Sequence, residues 1–208
     1  MSPRASASAA AETRSGIIDA AVRQASLEGL ESVTIGRLAG SLEMSKAGVI
    51  GPFGTKERIQ LAALESAIEI FRRKVWSPAS EAEPGLSRLE AITEAWLDYL
   101  TGEVFPGGCF LTGAAAEFDG RPGEVRDAVD RTLRLWEGVL EHEAEVAVEK
   151  GELPAETDPG QIAFEIHAIA QGVNQARQLR DDPRARERGA TAFRRILNAD
   201  GAVSPSSR

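Results

Sequence analysis

The sequence is poor in the residues that most often build catalytic and metal centres. It has one cysteine, Cys109, and two histidines, His142 and His167, among 208 residues. A single cysteine excludes an intrachain disulfide, and the sequence contains no HExxH, CxxC, Walker-type glycine-rich loop or GxSxG nucleophile elbow. We therefore predict that the chain is not an enzyme and binds neither a metal ion nor a cofactor.

Long apolar runs are absent too. No stretch approaches the ~18 consecutive apolar residues that a membrane-spanning helix needs, and the N-terminus lacks the basic start and apolar stretch of a signal peptide. The lone cysteine suits a reducing compartment. These absences predict a cytoplasmic protein without a membrane partner.

Positive charge is scarce overall, with 24 Lys and Arg against 32 Asp and Glu and a net charge of -8. The deficit is uneven, because residues 1–60 contain seven basic and six acidic residues, whereas residues 61–208 contain 17 and 26. Binding of DNA phosphates requires a locally basic face rather than a basic whole protein. The N-terminal part therefore remains compatible with a DNA partner.

Helical periodicity dominates what the sequence does contain. From residue 14 onward, apolar residues recur at i, i+3, i+4 and i+7, and no strand pair, βαβ alternation or internal repeat is found. We predict an all-α protein with an N-terminal three-helix domain at 14–60 and a larger helical domain at 61–199. The small, polar segments 1–13 and 200–208 are predicted to be disordered tails.

Capping residues mark the helix starts in the first domain. Thr34 and Ser45 precede two short helices, and Thr55 precedes a long amphipathic one. In the second domain, Asp158 followed by Pro159 marks another helix start. The second short helix is predicted to end near Gly51, because Pro52 disfavours helical backbone before it. Two short helices joined by a short turn and followed by a long helix are typical of a helix-turn-helix.

The run from Ile17 to Phe71 resembles the N-terminal domain of the tetracycline-repressor-like (TetR) family. The matching motifs are the DAA and Gly29 of the first helix, Val33-Thr34-Ile35, Ala39, Ser45-Lys46 and Phe53-Gly54-Thr55-Lys56-Glu57. The resemblance implies a homodimeric transcriptional regulator, expected to be a repressor, that binds a double-stranded DNA operator. It also implies a C-terminal domain that dimerises and binds an unidentified small-molecule effector, which changes the angle between the DNA-binding domains.

Eight residues are predicted to contact DNA. Thr34 and Ser45 present hydroxyl and backbone N–H groups to a phosphate, or they serve as helix caps alone. Lys56 resembles the family lysine that holds the DNA backbone, with a solvated surface lysine as the alternative. The complete set is Thr34, Arg37, Ser45, Lys46, Ala47, Gly48, Ile50 and Lys56.

The second short helix departs from its relatives, which commonly place an aromatic residue and a histidine where Ile50, Gly51 and Pro52 stand. Bidentate base reading from this helix is limited to Lys46, while its apolar residues offer contacts to thymine methyl groups. Arg37, the one cation of the preceding helix, is hypothesised to supply part of the readout or backbone grip. The glycines and the proline leave an alternative open, a helical ligand- or protein-binding module with weak or no specific DNA binding.

The effector site and the dimer interface are predicted in the C-terminal domain. Residues 162–176 mix isoleucine with small residues, which suits a helix in a symmetric bundle or in a monomer's interior. Aromatic residues at helical spacing line a pocket or form core, and His167 is also explained as a hydrogen-bonded core histidine. The candidate pocket residues are Trp96, Tyr99, Phe110, Phe118, Trp136, His167, Gln171 and Asn174.

Overall fold

The computed structural model describes residues 3–197, with side chains described from residue 8, and this part of the chain contains helices and no strand. The all-α fold class is confirmed. The ten α-helices in this range are α1 Pro3–Glu28, α2 Ile35–Ser41, α3 Lys46–Ile50, α4 Lys56–Phe71, α5 Ser77–Ala79, α6 Leu86–Thr101, α7 Phe110–Phe118, α8 Glu124–Glu149, α9 Pro159–Arg180 and α10 Ala185–Leu197. A 3-10 turn, Leu30–Ser32, follows α1, and a π turn, Arg72–Trp76, joins α4 to α5.

The predicted helix caps are confirmed. Each of four side-chain oxygens accepts a hydrogen bond from a backbone N–H in the first turn of its helix, as expected for N-cap residues. The distances are 3.3 Å for Thr34, 3.0 Å for Ser45, 3.1 Å for Thr55 and 3.0 Å for Asp158. These caps fix where α2, α3, α4 and α9 begin.

The first helix begins earlier than predicted. The disordered tail expected for residues 1–13 is wrong for residues 3–13, which are the start of α1. Alanine occupies five of the seven positions from 5 to 11. Alanine has the highest helix propensity, and extending an existing helix avoids the cost of nucleation, so this segment is helical although residues 8–13 are exposed. The tail predicted at 200–208 lies outside the described residues.

The chain divides into two compact units. The first combines the chain up to Ile70 with Phe105–Thr132, and the second combines Phe71–Val104 with the chain from Leu133 onward. This division departs from the predicted boundary after residue 60. Within the first unit, the physical reason is a set of hydrogen bonds from residues 105–132 to the N-terminal helices, described below.

The first unit has a core built from every N-terminal element. Its fully buried side chains come from α1, the 3-10 turn and the three following helices. Burial of their apolar surface stabilises the short helices, which would not be stable in water on helix propensity alone. They include Ile17, Leu30, Val33, Leu38, Val49 and Ile59. Val49 is the only side chain of α3 that is buried, so it anchors the helix.

The second unit packs α6, α9 and α10 together around Leu97, Ile166 and Phe193. A glycine permits the close approach, because a β-carbon at Gly189 of α10 would lie 2.5 Å from Val173 Cγ2 and 2.6 Å from Leu97 Cδ2. Arg88 and Glu143 form an ion pair at 2.9 Å in the same unit. The Glu143 carboxylate is 3% exposed, and its second oxygen accepts a hydrogen bond from the N–H of Gly85, so its charge is compensated.

The π turn after α4 has a local cause. Pro78 lacks an N–H, and its ring conflicts with the carbonyl four residues earlier in a regular helix. The Ser77 N–H bonds to the carbonyl of Arg72, five residues earlier, which widens the turn. The helix therefore continues into α5 instead of ending at the proline.

None of the helices described between residues 3 and 197 is both long enough and apolar enough to cross a bilayer.

Gly107 provides a test of the contact between residues 105–108 and α1. Its N–H donates to Ser26 Oγ at 3.1 Å, and a β-carbon would lie 1.6 Å from the Ser26 carbonyl oxygen. Because that atom belongs to the backbone, Gly107→Ala should lower the free energy of unfolding by ~1–3 kcal/mol. Gly113→Ala on α7, with nothing within 4 Å of the new methyl group, is the matched control. It should raise the free energy of unfolding by up to ~1 kcal/mol.

Urea denaturation of both variants measures the difference. Equal effects of the two substitutions would show that residues 105–108 do not contact the end of α1 as described.

Candidate DNA interface and effector site

The turn between α2 and α3 sets how the two short helices are arranged. Glu43 has a φ of 53°, in the left-handed region, and the Met44 N–H donates to the carbonyl of Ala39 at 2.9 Å. This pattern closes the C-terminus of α2 and reverses the chain. Ser45 then caps α3, so the N-terminus of α3 follows immediately.

Helix α3 is short, as predicted. It spans five residues, and Gly51 is its C-cap. Lys46 and Ala47 are exposed, while Gly48 and Ile50 are half-buried. The exposed surface of α3 is therefore mainly its first turn.

The capping interpretation of Thr34 and Ser45 is confirmed, because both hydroxyl oxygens accept backbone N–H groups. A capping hydroxyl keeps its own proton, which can still be donated to a phosphate oxygen. Thr34 is half-buried and Ser45 is exposed. The two roles that the sequence left open are therefore compatible, and the phosphate contact stays a prediction.

The three predicted cations differ in their surroundings. Arg37 Nη2 donates to Glu28 Oε1 at 2.6 Å. Lys56 Nζ donates to Glu31 Oε1 at 2.9 Å and to the Glu31 carbonyl at 3.0 Å. Lys46 is exposed and forms no ion pair with the side chains that the structure describes. Of these three cations, Lys46 is the one whose charge is not already compensated.

Lys56 is therefore not the solvated surface lysine that was the alternative interpretation. Its side chain is half-buried, and its hydrogen bond to Glu31 lowers the pKa of that carboxyl below the ordinary value. Gln60 also donates to Glu31, at 3.2 Å, and to the Leu30 carbonyl, at 2.9 Å. The start of α4 is thus bonded to the 3-10 turn.

The sequence did not reveal the carboxylates of this region. Glu117 of α7 accepts the backbone N–H of Leu30 at 2.7 Å and of Glu31 at 3.0 Å. These partners are 87 and 86 residues from Glu117 in the chain. No local periodicity or motif reports a contact at that separation.

In the second unit, three of the predicted pocket residues form an aromatic cluster with Phe71. The Phe71 ring centroid lies 5.7 Å from Trp96, 5.2 Å from Tyr99 and 4.9 Å from Trp136, and each pair is edge-to-face. Trp96 and Trp136 are also edge-to-face, at 5.4 Å. Phe71 was not among the predicted pocket residues, so its membership of this cluster was missed.

The other two predicted aromatic residues, Phe110 and Phe118, lie apart from this cluster. Both belong to the first unit, where Phe110 packs against Phe105 with centroids 5.8 Å apart and Phe118 lies 5.9 Å from the guanidinium of Arg121. They are not rings of the aromatic cluster. Large aromatic residues at helical spacing formed core here, which was the alternative that the sequence left open.

His167 and Gln171 lie one turn apart on α9, next to the cluster. The His167 ring is 6.0 Å from Trp96, and its Nε2 is 2.9 Å from Gln171 Nε2. Burial lowers the pKa of His167, opposed by the carboxylate of Glu137, whose Oε1 is 3.4 Å from Nδ1. The imidazole is therefore neutral at pH 7. The interpretation as a hydrogen-bonded histidine is confirmed, and Asn174 is buried on the same helix.

The cluster contains buried polar atoms without hydrogen-bond partners. They are the indole Nε1 atoms of Trp96 and Trp136 and the Nδ1 atom of His167, which Glu137 approaches without aligned hydrogen-bond geometry. Buried polar groups are usually satisfied in folded proteins. These three atoms are therefore exceptions within the described part of the chain.

Helix α9 also has an exposed apolar face. Phe164 and Leu179 are 65% and 75% exposed, and the face between them includes the exposed small residues Ala168 and Gly172. The opposite face is buried in the second unit. Small residues between large apolar ones allow another helix to approach closely.

Two family models match the chain. The model of bacterial regulatory proteins of the tetR family matches residues 17–63, and the model of the tetracyclin repressor-like C-terminal domain matches residues 85–193. A comparison with curated proteins gives no significant match.

Solved structures share the fold. A TetR-family transcriptional regulator from Cytophaga hutchinsonii is 18% identical with a TM-score of 0.80, covering 91% of this chain and 95% of that chain. A TetR transcriptional regulator from Chloroflexus aurantiacus J-10-FL is 20% identical with a TM-score of 0.81, covering 91% and 94%. AibR in complex with isovaleryl coenzyme A and operator DNA is 20% identical with a TM-score of 0.72, covering 89% and 97%.

The structural matches establish the fold, and the C-terminal family model alone spans more than half of the sequence. The helix-turn-helix of α2 and α3 lies within the N-terminal match. The resemblance predicted from the motifs is confirmed, and the chain belongs to the TetR family of bacterial transcriptional regulators.

Proposed function

We propose that this protein is a homodimeric repressor that binds a double-stranded DNA operator and changes its operator affinity when a small molecule binds the second unit. The observation that carries the proposal is the capped helix pair α2 and α3, with the exposed ammonium of Lys46 on the first turn of α3. AibR, which shares the fold, has been crystallised in complex with isovaleryl coenzyme A and operator DNA. Because a bacterial transcriptional regulator meets its operator in the cytoplasm, we place the protein there.

On DNA, the eight predicted contact residues divide into two groups. The helix starts at Thr34 and Ser45, with Arg37 and Lys56, hold phosphates and fix the position of α3. Lys46, Ala47, Gly48 and Ile50 face base edges, where one lysine and the apolar contacts to thymine methyl groups supply the sequence preference. Because Lys46 is the one cation that contacts bases, each half-site is recognised with only a modest sequence preference. Specific binding therefore requires two half-sites.

The exposed face of α9 supplies the dimer contact. Phe164 and Leu179 each leave most of a large apolar side chain in water, and burying such surface contributes about 25 cal/mol per Å². Two copies related by a twofold axis would bury the face against itself. The dimer then presents two recognition helices to half-sites about 34 Å apart.

The alternative is a helical ligand- or protein-binding module with weak or no specific DNA binding. It is favoured by the five-residue α3 and by the carboxylates that already pair with Arg37 and Lys56. Fluorescence anisotropy with DNA that flanks the protein's own coding region separates the two functions. A regulator binds that duplex more tightly than a random duplex, whereas the alternative predicts equal or undetectable binding at about 50 mM salt.

Lys46→Ala tests the recognition surface. Removal of the one uncompensated cation on α3 should weaken binding to the flanking DNA about tenfold, which corresponds to one base contact. Lys74→Ala removes the same charge from an exposed position in the second unit and should leave the affinity unchanged. Equal losses in the two variants would indicate a general charge effect and contradict base reading by α3.

Glu31→Gln tests the paired lysine. The substitution removes a negative charge 2.9 Å from Lys56, so the ammonium becomes available to phosphate and DNA affinity should rise by about fivefold. In a Lys56→Ala background, Glu31→Gln should have a much smaller effect, and Lys56→Ala alone should reduce the salt slope by about one. Tighter binding that survives loss of Lys56 would remove this residue from the DNA interface.

Phe164→Glu tests the dimer. A charge within the proposed helix interface should shift the protein to monomer at micromolar concentration, measured by sedimentation velocity. Leu27→Glu is the matched control, because Leu27 is 60% exposed on α1 and takes no part in the α9 face. A dimer that persists in Phe164→Glu and dissociates in Leu27→Glu would place the interface elsewhere.

A further inference from the structure

Arg14 of α1 carries a positive charge that none of the eight predicted DNA contacts includes. Its guanidinium lies over the ring of Phe53, 5.0 Å from the ring centroid. The Arg14 side chain is exposed, and it forms no ion pair with the side chains described between residues 8 and 197. An aromatic ring attracts a cation through its π face without neutralising it, so the charge of Arg14 stays available to an anion.

The acidic residue nearest to Arg14 in the sequence faces another direction. Glu12 accepts a hydrogen bond from the Ser8 hydroxyl at 3.1 Å, one turn earlier on α1. Side chains two residues apart on an α-helix point about 200° away from each other, so Glu12 lies on the other side of the helix from Arg14. Arg14 therefore differs from Arg37 and Lys56, whose charges are paired with glutamates.

Arg14 also lines a surface groove between the start of α1 and the end of α3. Thr13 and the alanines at 9–11 lie on the α1 side, and Gly51 and Pro52 lie on the other side. Both sides belong to the first unit. None of the residues that line this groove is acidic, so an anion that enters it meets the positive charge of Arg14 without a competing carboxylate.

Arg14 is also the free hydrogen-bond donor among the residues that line this groove. The Thr13 hydroxyl already donates to the Ala9 carbonyl at 2.8 Å, and the Gly51 N–H donates within α3 at 2.9 Å. Pro52 has no N–H. A hydrogen-bond acceptor in the groove is therefore bound by the Arg14 guanidinium.

The groove continues the exposed face of α3. Ala47 and Gly51 are both exposed, and the Gly51 N–H donates to the Ala47 carbonyl, so the two residues share one helix face. In a helix-turn-helix, the first residues of the second helix contact base edges. Helix α3 has five residues and is about 7.5 Å long, which is less than the about 12 Å width of the major groove. Its C-terminal end then lies beside the phosphates that border the groove.

We propose that Arg14 binds an operator phosphate at the C-terminal end of α3 and that Phe53 positions its guanidinium for this contact. The planar guanidinium matches the geometry of phosphate oxygens, and the ring beneath it limits the orientations that the side chain adopts. A phosphate contact carries no base information, so it strengthens binding to every duplex alike. This inference rests on the proposed function, because it adds a residue to the same DNA interface.

Arg14→Gln tests the phosphate contact by fluorescence anisotropy on the full chain, with the flanking DNA and with a random duplex. The loss of one phosphate contact should weaken binding to both duplexes by the same factor, about tenfold at about 50 mM salt. The loss should be about 3.5-fold smaller at 200 mM salt, because one fewer counterion is released. An unchanged affinity, an unchanged salt slope or a loss confined to the flanking DNA overturns the proposal.

Arg131→Gln is the matched control. Arg131 is an exposed arginine of α8 in the same unit, and it lines a different groove together with Leu61 and Leu64. The substitution removes the same charge and should leave DNA affinity unchanged. Equal losses in Arg14→Gln and Arg131→Gln would show a general effect of net charge and would also overturn the contact.

Two further variants test the positioning role of Phe53. Arg14→Lys keeps the charge without the planar group, so it should restore the salt slope and only part of the affinity. Phe53→Leu removes the π face and should weaken DNA binding severalfold, but much less in an Arg14→Gln background. Equal effects of Phe53→Leu in the two backgrounds overturn the positioning role. Because Arg14 is exposed, its own variants test the contact even if Phe53→Leu unfolds the protein.

The wild-type protein separates failure of this inference from failure of the proposed function. If it prefers the flanking DNA and Arg14→Gln binds equally well, the regulator stands and the Arg14 contact is overturned. If it binds both duplexes equally and Arg14→Gln weakens both, the phosphate contact stands and operator recognition fails. Absence of binding to either duplex at about 50 mM salt overturns both.

Discussion

The 3-10 turn at Leu30–Ser32 is held by hydrogen bonds from both sides, and the arrangement of the first unit depends on it. Glu117 accepts the N–H groups of Leu30 and Glu31, while Gln60 and Lys56 donate to the carbonyl groups of the same two residues. A turn of three residues has few internal hydrogen bonds, so these partners satisfy its polar backbone. They also link the end of α1, the start of α4 and helix α7 in one network within the first unit.

Gly29 shows how tightly this network is packed. Its φ of 87° is strained for other residues, and a β-carbon would lie 2.9 Å from the Glu117 carboxylate. The Glu117 side chain can reach the backbone because this position has no side chain. Glycine is therefore required at position 29 for two physical reasons, the backbone conformation and the space taken by the Glu117 carboxylate.

Two ion pairs of the first unit reduce the positive charge that is available to DNA phosphates. In the proposed function, phosphate contacts are sequence-independent, and the pairs of Lys56 with Glu31 and of Arg37 with Glu28 compete with every phosphate alike. Lys46 has no such competitor among the described side chains, so base contacts are not reduced. The internal pairs thus weaken non-specific binding more than they weaken recognition.

Local signals in the sequence predicted local structure well. Thr34, Ser45 and Asp158 cap their helices, and Pro52 limits α3, because a cap or a proline acts on backbone within a few residues. The start of α1 was missed because a small, polar composition was taken for disorder, although alanine favours helix strongly. The all-α class and the family followed from periodicity and from motifs of fixed spacing.

The candidate sites were predicted only in part, because they depend on contacts between distant residues. The Glu117 bonds span 87 and 86 positions and the Lys56–Glu31 pair spans 25, and nothing in the local pattern marks a carboxylate as a partner. Trp96, Tyr99 and Trp136 lie in one ring cluster, whereas Phe110 and Phe118 lie in the first unit, and a ligand contact of any of the five stays a prediction. Aromatic identity alone does not say which unit a side chain packs in.

Helix α9 contributes residues to three different surroundings. Ile162 and Ile166 are buried in the second unit, His167 and Gln171 border the aromatic cluster, and Phe164 lies on the exposed face. A helix with apolar residues on nearly every side is stable in water only when most of its surface is covered. The second unit covers one side of α9, so the exposed apolar side needs a partner. A second copy of this helix, related by a twofold axis, presents the same face, and its small residues leave room for the large ones.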